Sequence, residues 1–242
     1  MKIIALIPAR YAATRFAGKL MQPLGTKTVL QHTYDNTVAT NLFDAVYVVT
    51  DSDIIYDSIT HHGGQAIRSI REHESGSDRI AEAAAAMQVD VVMNIQGDEP
   101  FVHKDALQGL VNAFINNKNT QVASLMHIIT DPADVHNPNM VKVVVDAGMQ
   151  ALLFSRSPIP YNRDAATPVT YYKHIGIYGY TKAALLHYTQ LPMSTLEQVE
   201  KLENLRLIEH HIPVQMVLTT YASIGIDTPA DLAKAEAYLA AQ

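Results

Sequence analysis

The sequence predicts an α/β protein built on a doubly wound, mostly parallel sheet that carries a smaller inserted lobe. Three observations lead there. Short continuous apolar runs recur at residues 2–7, 45–50 and 90–96, the pattern of strands covered on both faces. Each is followed by a polar loop and then a helical stretch, the alternation that builds βαβ units. After residue 120 the alternation lapses without a linker-like segment. The 242 residues therefore read as a single domain spanning 1–242, with the smaller lobe at approximately 130–195.

The elements follow in order. KIIALI at 2–7 is the first strand, which Pro8 is expected to end. A loop over 9–25 precedes a helix at 28–40, with Val29, Leu30, Thr33 and Val38 toward one side. A strand at 45–50 leads to a helix at 54–62, stopped by Gly63 and Gly64. A short strand near 65–68 and a polar loop to Ser77 precede an alanine-rich helix at 78–87. The third long strand, 90–96, ends in Gly97-Asp98-Glu99-Pro100, and a helix at 105–116 follows. Strands at 122–129 and 141–146 flank a turn-like stretch at 131–138. A strand at 151–154, a surface loop at 161–170 and an aromatic strand at 171–180 come next. One helix is expected at 196–210, with Ser194 and Glu197 as a capping box and Val199, Leu202, Leu205 and Ile208 on one face. A strand at 214–220 precedes a final helix with Thr228 as cap and Pro229 at its first position.

Composition narrows the function. Hydrophobic residues make up 48% and charged residues 17%, which excludes a disordered chain. With 18 Lys and Arg against 24 Asp and Glu the net charge is −6, unfavourable for nucleic-acid binding. There is no cysteine, so disulfides, thiolate catalysis and cysteine-ligated metals are excluded. The apolar stretch at 3–7 is too short for a signal peptide, and no window approaches the ~18 apolar residues of a membrane span. A soluble, cytoplasmic protein is expected.

Ligands of open α/β sheets gather outside the carboxyl ends of the strands, and three segments converge there. Arg10, Arg15 and Lys19 follow the first strand and suit phosphate oxygens, unless they are only a solvated loop. Ser75, Gly76 and Arg79 lie near a helix start. Gln96 and Asp98 follow the third long strand. Neither GxxxxGK[ST] nor GxGxxG is present, which argues against P-loop and dinucleotide chemistry. Asp98 at the end of an apolar strand would be costly unless hydrogen-bonded or metal-bound. With Asp227 as second ligand it suits Mg²⁺, although either residue also fits a turn or cap. Asp51 and Asp53 read as structural. The eleven histidines show no HExxH spacing, and the zinc reading is rejected. His174 and Tyr178 share a strand face and either line a polyol pocket or pack. Arg156, framed by Phe154 and Pro158, is a candidate carboxylate receiver. Glu203 and Asn204 lie at the rim of a helix face, where solvation is the plainer alternative.

The segment Ile7-Pro-Ala-Arg-Tyr-Ala-Ala-Thr-Arg-Phe-Ala-Gly-Lys19 resembles the amino-terminal signature of sugar nucleotidyltransferases. Further segments match in order: Glu74-Ser-Gly-Ser-Asp-Arg79, Asn94-Ile-Gln-Gly-Asp-Glu-Pro100, Phe154-Ser-Arg-Ser-Pro-Ile-Pro160, Lys173-His-Ile-Gly-Ile-Tyr178, Leu202-Glu-Asn-Leu-Arg206 and Gly225-Ile-Asp-Thr-Pro229. Together they are similar to the 3-deoxy-manno-octulosonate (Kdo) cytidylyltransferase family. The resemblance implies a nucleotidyltransferase-like, Rossmann-like fold and Mg²⁺-dependent transfer of a cytidylyl group from CTP to Kdo, for lipopolysaccharide assembly. It also implies a homodimer formed largely through the second-half lobe.

By the same resemblance Arg10, Arg15 and Lys19 hold the triphosphate. Arg71, Ser75, Gly76, Ser77 and Arg79 surround the cytidine, with Gln96 at the border of the nucleotide and sugar sets. Arg156, His174, Tyr178, Glu203 and Asn204 receive the sugar acid, Arg156 taking its carboxylate. Asp98 and Asp227 bind Mg²⁺ and, with Lys19 and Arg10, form the catalytic set. Ala13 stands where the family carries Ser, and Ala17 and Met21 where it carries Pro. Asn204 replaces a Gln, so an amino-substituted Kdo or a sialic acid is the alternative acceptor.

Overall fold

The computed structural model describes residues 1–12, 16–73, 75–164 and 167–241. In chain order its elements are β1 (Ile3–Ala9), a 3₁₀ turn (Lys19–Met21), β2 (Pro23–Leu24), β3 (Lys27–Thr28), α1 (Val29–Ala39), β4 (Ala45–Thr50), α2 (Asp53–His61), β5 (Ala66–Arg68), α3 (Gly76–Ala85), β6 (Val91–Asn94), α4 (Lys104–Asn116), β7 (Val122–Ile128), α5 (Pro132–Val135), β8 (Lys142–Val145), β9 (Ala151–Ser155), β10 (Tyr172–Thr181), α6 (Lys182–Tyr188), α7 (Thr195–Glu200), α8 (Leu205–Glu209), β11 (Val214–Leu218) and α9 (Pro229–Ala240). Two compact units emerge: Met1–Leu107 with Ala222–Gln242, and Gln108–Tyr221. The second is longer at both ends than the 130–195 segment marked by the lapse in alternation.

In the first unit β6, β1, β4 and β5 lie side by side, all parallel. Every residue of β1 is buried, as its unbroken apolar run requires of a strand covered on both faces. The chain moves outward from β1 to β4 and β5, then returns to place β6 on the other side of β1. Strand order reverses there, and the carboxyl ends of β1 and β6 open beside one another.

Pro8 does not end β1, contrary to expectation. The Leu6 carbonyl accepts from Ile95 N on the β6 side. Two residues on, Pro8 faces the same side, where pairing with β6 has already stopped at Leu6 and Asn94. The missing N–H therefore costs no ladder bond, and pairing with β4 continues to Ala9.

A capping box starts α1: Gln31 N donates to Thr28 Oγ1 at 3.2 Å and Thr28 N to Gln31 Oε1 at 2.9 Å. Its buried face is Val29, Leu30, Thr33, Tyr34 and Thr37, not Val38, which is exposed. Threonine can take the inner position because its hydroxyl finds a carbonyl one turn back: Thr33 Oγ1 reaches Val29 O, and Thr37 Oγ1 reaches Thr33 O. Thr33 Oγ1 also reaches Gly97 O at 2.9 Å, tying α1 to the turn after β6. The helix expected at 78–87 begins two residues early, because Ser75 Oγ caps Asp78 N. The capping box of α9 forms as expected on Thr228 and Asp231, with Pro229 at its first position.

In the second unit β11 pairs parallel with β7, whereas β10 pairs antiparallel with β7 and with β8, and β8 with β9. The register of β10 against β7 slips between Ile175 and Tyr178. Two elements were not foreseen. The turn-like stretch contains α5, capped by Asp131, and Thr181 caps α6 directly at the end of β10.

The single helix expected at 196–210 is two helices, α7 and α8, separated by Lys201 in a left-handed conformation. Glu197 and Arg206 explain the break. They form a largely buried two-pronged ion pair at 2.6 and 2.8 Å although nine residues apart. A continuous helix would separate them by roughly 13 Å and place them on opposite sides. Val199 is consequently exposed, while Leu202 and Leu205 remain inside.

Leu30 is fully buried and Thr28 caps the same helix. Leu30→Ala is expected to cost ~2–5 kcal/mol of unfolding free energy and Thr28→Ala about 1 kcal/mol, both read from urea denaturation midpoints.

Candidate active site

In the first unit the open end of β1 and β6 gathers the expected segments. At α3's first residue, a Cβ on Gly76 would lie 3.0 Å from Pro8 and 3.6 Å from Gln96 Oε1. The α3 N-terminus thus abuts the ends of both strands. Gln96 is steadied by its own strand, Nε2 donating to Asn94 Oδ1 at 3.1 Å. Arg10 is exposed just past β1. Ala13, Arg15 and Glu74 lie outside the described residues.

Gly18, at φ +64°, starts the 3₁₀ turn that presents Lys19, a conformation that favours glycine. Lys19 Nζ lies 2.5 Å from Asp98 Oδ2 and 2.8 Å from Asp227 Oδ1. Burial works against the lysine's charge, but the two carboxylates outweigh it and hold its pKa above the ordinary value. Two hard oxygen donors that already hold a cation between them fit Mg²⁺, which takes one or two carboxylates and completes its shell with water and phosphate oxygens. Among the described residues no third histidine or carboxylate joins them.

The cytidine candidates divide. Ser75 and Gly76 stand at the start of α3, and Ser77 is buried within its first turn. Arg79 is buried, its guanidinium taken up by Asp51 at 3.0 Å and Ser69 at 2.9 Å. Asp51 is thus structural through an ion pair rather than as a cap, and Asp53 pairs with Arg68 while Ser52 caps α2. Arg71 is largely exposed, on a loop braced by Glu82, which accepts from Ile70 N at 2.6 Å and lies 2.8 Å from His73 Nε2.

In the second unit Arg156 is held through main-chain oxygens. Its Nε donates to Glu200 O and Nη1 to Pro138 O, while its own N–H meets the Glu200 carboxylate at 2.8 Å. Among the described residues the guanidinium faces carbonyls rather than a carboxylate, so its charge is available to an incoming acid. Lys142, fully buried, fixes the Arg156 carbonyl at 2.5 Å and also caps Asn137 O and Met140 O.

Phe154, two residues before Arg156, packs edge-on against His174 at 5.0 Å, and His174 lies 5.3 Å from Tyr178. His174 Nε2 is 3.0 Å from Ser124 Oγ. Burial, assisted by the neighbouring Lys173 charge, pushes the His174 pKa down to about 3. Burial raises that of Tyr178 well above the phenolic range. Both are therefore neutral at pH 7. Asn204 is buried, with its side-chain amide against the Tyr178 hydroxyl. Exposed Glu203 precedes it, its carbonyl held by the Tyr188 hydroxyl at 3.0 Å.

Sequence reading missed Glu99, Ser124, Lys142, Glu200 and Ser223. Of these only Glu99 carried a signal, as a second carboxylate at the end of a buried strand.

Between pH 6.5 and about 3 the unfolded chain protonates His174 while the folded chain does not. Stability therefore falls as pH drops through 6.5, by up to about 1.4 kcal/mol per pH unit from this one group. His174→Gln is expected to flatten that slope in urea titrations between pH 4 and 7. An unchanged slope counts against a neutral, buried imidazole.

A parallel α/β unit with basic, serine–glycine and paired-carboxylate segments at its strand ends has the form of a nucleotidyltransferase. The cytidylyltransferase family pattern matches residues 4–214, and the chain belongs to the cytidylyltransferase family. It is 56% identical over 241 residues to the 3-deoxy-manno-octulosonate cytidylyltransferase of Flavobacterium johnsoniae, covering 99% of both chains. It is 52% identical over 240 residues to that of Christiangramia forsetii, covering 98% of this chain and 97% of the relative. It is similar to a solved CMP:2-keto-3-deoxy-manno-octonic acid synthetase complexed with CTP, at a TM-score of 0.95 and 38% identity, over 100% of this chain and 99% of that one. A 4-diphosphocytidyl-2C-methyl-D-erythritol synthase from Anaerococcus prevotii shares the fold alone, at a TM-score of 0.65 and 20% identity.

Proposed function

We propose that the protein transfers a cytidylyl group from CTP to the anomeric 2-hydroxyl of Kdo, giving CMP-Kdo and pyrophosphate. The observation that carries this reading is the pair Asp98 and Asp227, drawn from well-separated segments of the chain onto Lys19. The relatives named above support the choice of nucleotide and sugar acid.

The Kdo hydroxyl oxygen forms a bond to the α-phosphorus, the bond to pyrophosphate breaks, and the hydroxyl proton passes to solvent. No covalent enzyme intermediate is required. The work of the chain is positioning and charge neutralisation. Arg10, Arg15 and Lys19 bind the triphosphate and offset charge on the departing pyrophosphate. Ser75, Gly76 and Ser77, with Arg71 and Gln96, receive the nucleotide, and Arg79 braces that segment through Asp51 and Ser69. Asp98 and Asp227 would hold Mg²⁺, which when bound polarises phosphate oxygens and acidifies a hydroxyl beside it.

Arg156 takes the sugar carboxylate with a charge that its own carbonyl partners leave uncompensated. His174 is a neutral hydrogen-bonding group, because it cannot hold a proton near pH 7. Tyr178, Glu203 and Asn204 contact sugar hydroxyls, the Asn204 amide lying beside the Tyr178 hydroxyl. The same proposal includes a cytoplasmic homodimer that supplies lipopolysaccharide assembly. For the described residues, no helix is long and apolar enough to cross a membrane.

Pyrophosphate release is expected with CTP and Kdo, and at lower rates with an amino-substituted Kdo, a sialic acid or other nucleotides. Release with a sugar phosphate in preference to every sugar acid would defeat the proposal. Asp98→Ala is expected to lower kcat by at least about a hundredfold, the scale of losing a group that stabilises transition-state charge. CTP affinity should change far less, as measured by calorimetry.

A further inference from the structure

Glu99 lies beside Asp98 in the chain but faces elsewhere. It is buried, at 8% exposure, where a carboxylate is tolerated only if it is hydrogen-bonded. Both of its oxygens lie close to the Ser223 hydroxyl, at 2.6 and 2.7 Å, across 124 residues of sequence. Two residues after Ser223, a Cβ on Gly225 would stand 3.2 Å from Glu99 Oε1. The backbone can close on the carboxylate at that point because Gly225 has no side chain. Next, Ile226 N donates to Asp98 O at 3.0 Å, and the Ile226 side chain is fully buried with Leu24, Val29, Phe101 and Ala235. Asp227 follows immediately.

From these contacts we infer that Glu99 is a positioning residue. Through Ser223 and Gly225 it seats the segment that ends in Asp227, and so sets the separation of the Asp227 and Asp98 carboxylates. The hydroxyl-to-carboxylate bond is charge-assisted and short. It anchors the segment on one side of Asp227, and the Thr228 cap of α9 anchors it on the other. Asp98 and Glu99 thus divide the labour: one carboxylate turns to Lys19, the other to the chain that carries Asp227. The inference rests on the reading of Asp98 and Asp227 as metal ligands.

The test uses the full chain with CTP, and Mn²⁺ as a directly observable divalent probe, with free Mn²⁺ read by electron paramagnetic resonance. Ser223→Ala is expected to weaken Mn²⁺ binding by about tenfold or more, the scale seen when a partner of a metal ligand is removed. It should lower kcat while leaving the KM for CTP nearly unchanged. Ser223→Thr, which keeps the hydroxyl, should restore both. Gly225→Ala, which crowds the same carboxylate, should reproduce the loss of Mn²⁺ affinity if Ser223→Ala proves unstable. Wild-type Mn²⁺ affinity in Ser223→Ala and Gly225→Ala, alongside its loss in Asp98→Asn, would overturn the positioning role and leave the metal reading intact. Mn²⁺ affinity retained in Asp98→Asn would remove the metal reading itself, and this inference with it.

Discussion

A lysine ammonium held between two carboxylates organises the first unit. Lys19 Nζ contacts Asp98 and Asp227 at hydrogen-bonding distance, and these three residues come from three separate segments: the loop after β1, the turn after β6 and the approach to α9. Two carboxylates brought this close without a cation would repel one another in a partly desolvated setting. The lysine ammonium between them offsets that repulsion. The three charged groups thus support one another, and the proposed Mg²⁺ would be held by the same two carboxylates.

The scaffold around the triad is built to hold it. Thr33 ties α1 to the Gly97 carbonyl, and Asn36 Nδ2 meets the Pro100 carbonyl at 2.6 Å, so the Gly97–Pro100 turn is gripped from one helix on both sides of Asp98. Ile226 is sunk in an apolar cluster one residue before Asp227. The aspartates therefore sit on anchored backbone, which keeps the reorganisation needed for binding small. Asp227 is the more exposed of the two and lies where the chain enters α9.

On the proposed reading the second unit meets a different substrate. A sugar acid has one charge and many hydroxyls, and the candidate residues divide in the same way. Arg156 holds a full charge on a frame of carbonyls, with Lys142 and Glu200 fixing its backbone. The His174, Tyr178, Ser124 and Asn204 cluster is neutral, because burial keeps the imidazole unprotonated and the phenol protonated. Neutral donors and acceptors can match hydroxyls without the desolvation cost that a buried unpaired charge would carry. The broken helix leads into the same cluster. The Glu197–Arg206 pair turns the chain at Lys201, and Glu203 and Asn204 follow directly at the start of α8.

Much was legible in the sequence where the determinant was local. The apolar runs of β1, β4 and β6 and the cap at Thr228 could be read because burial periodicity and capping depend on residues within a few positions of one another. The candidate chemistry at the strand ends was legible because open α/β sheets place ligands there. What escaped depended on partners distant in sequence. Pro8 stays in β1 because of where β6 stops, and a helix of good periodicity breaks because Glu197 must reach Arg206. Glu99 was visible as a carboxylate, yet its purpose lay 124 residues away at Ser223. Local sequence determined which elements form and which side chains could do chemistry; only the tertiary structure decided which charges meet, since that depends on the three-dimensional path of the chain and not on spacing along it.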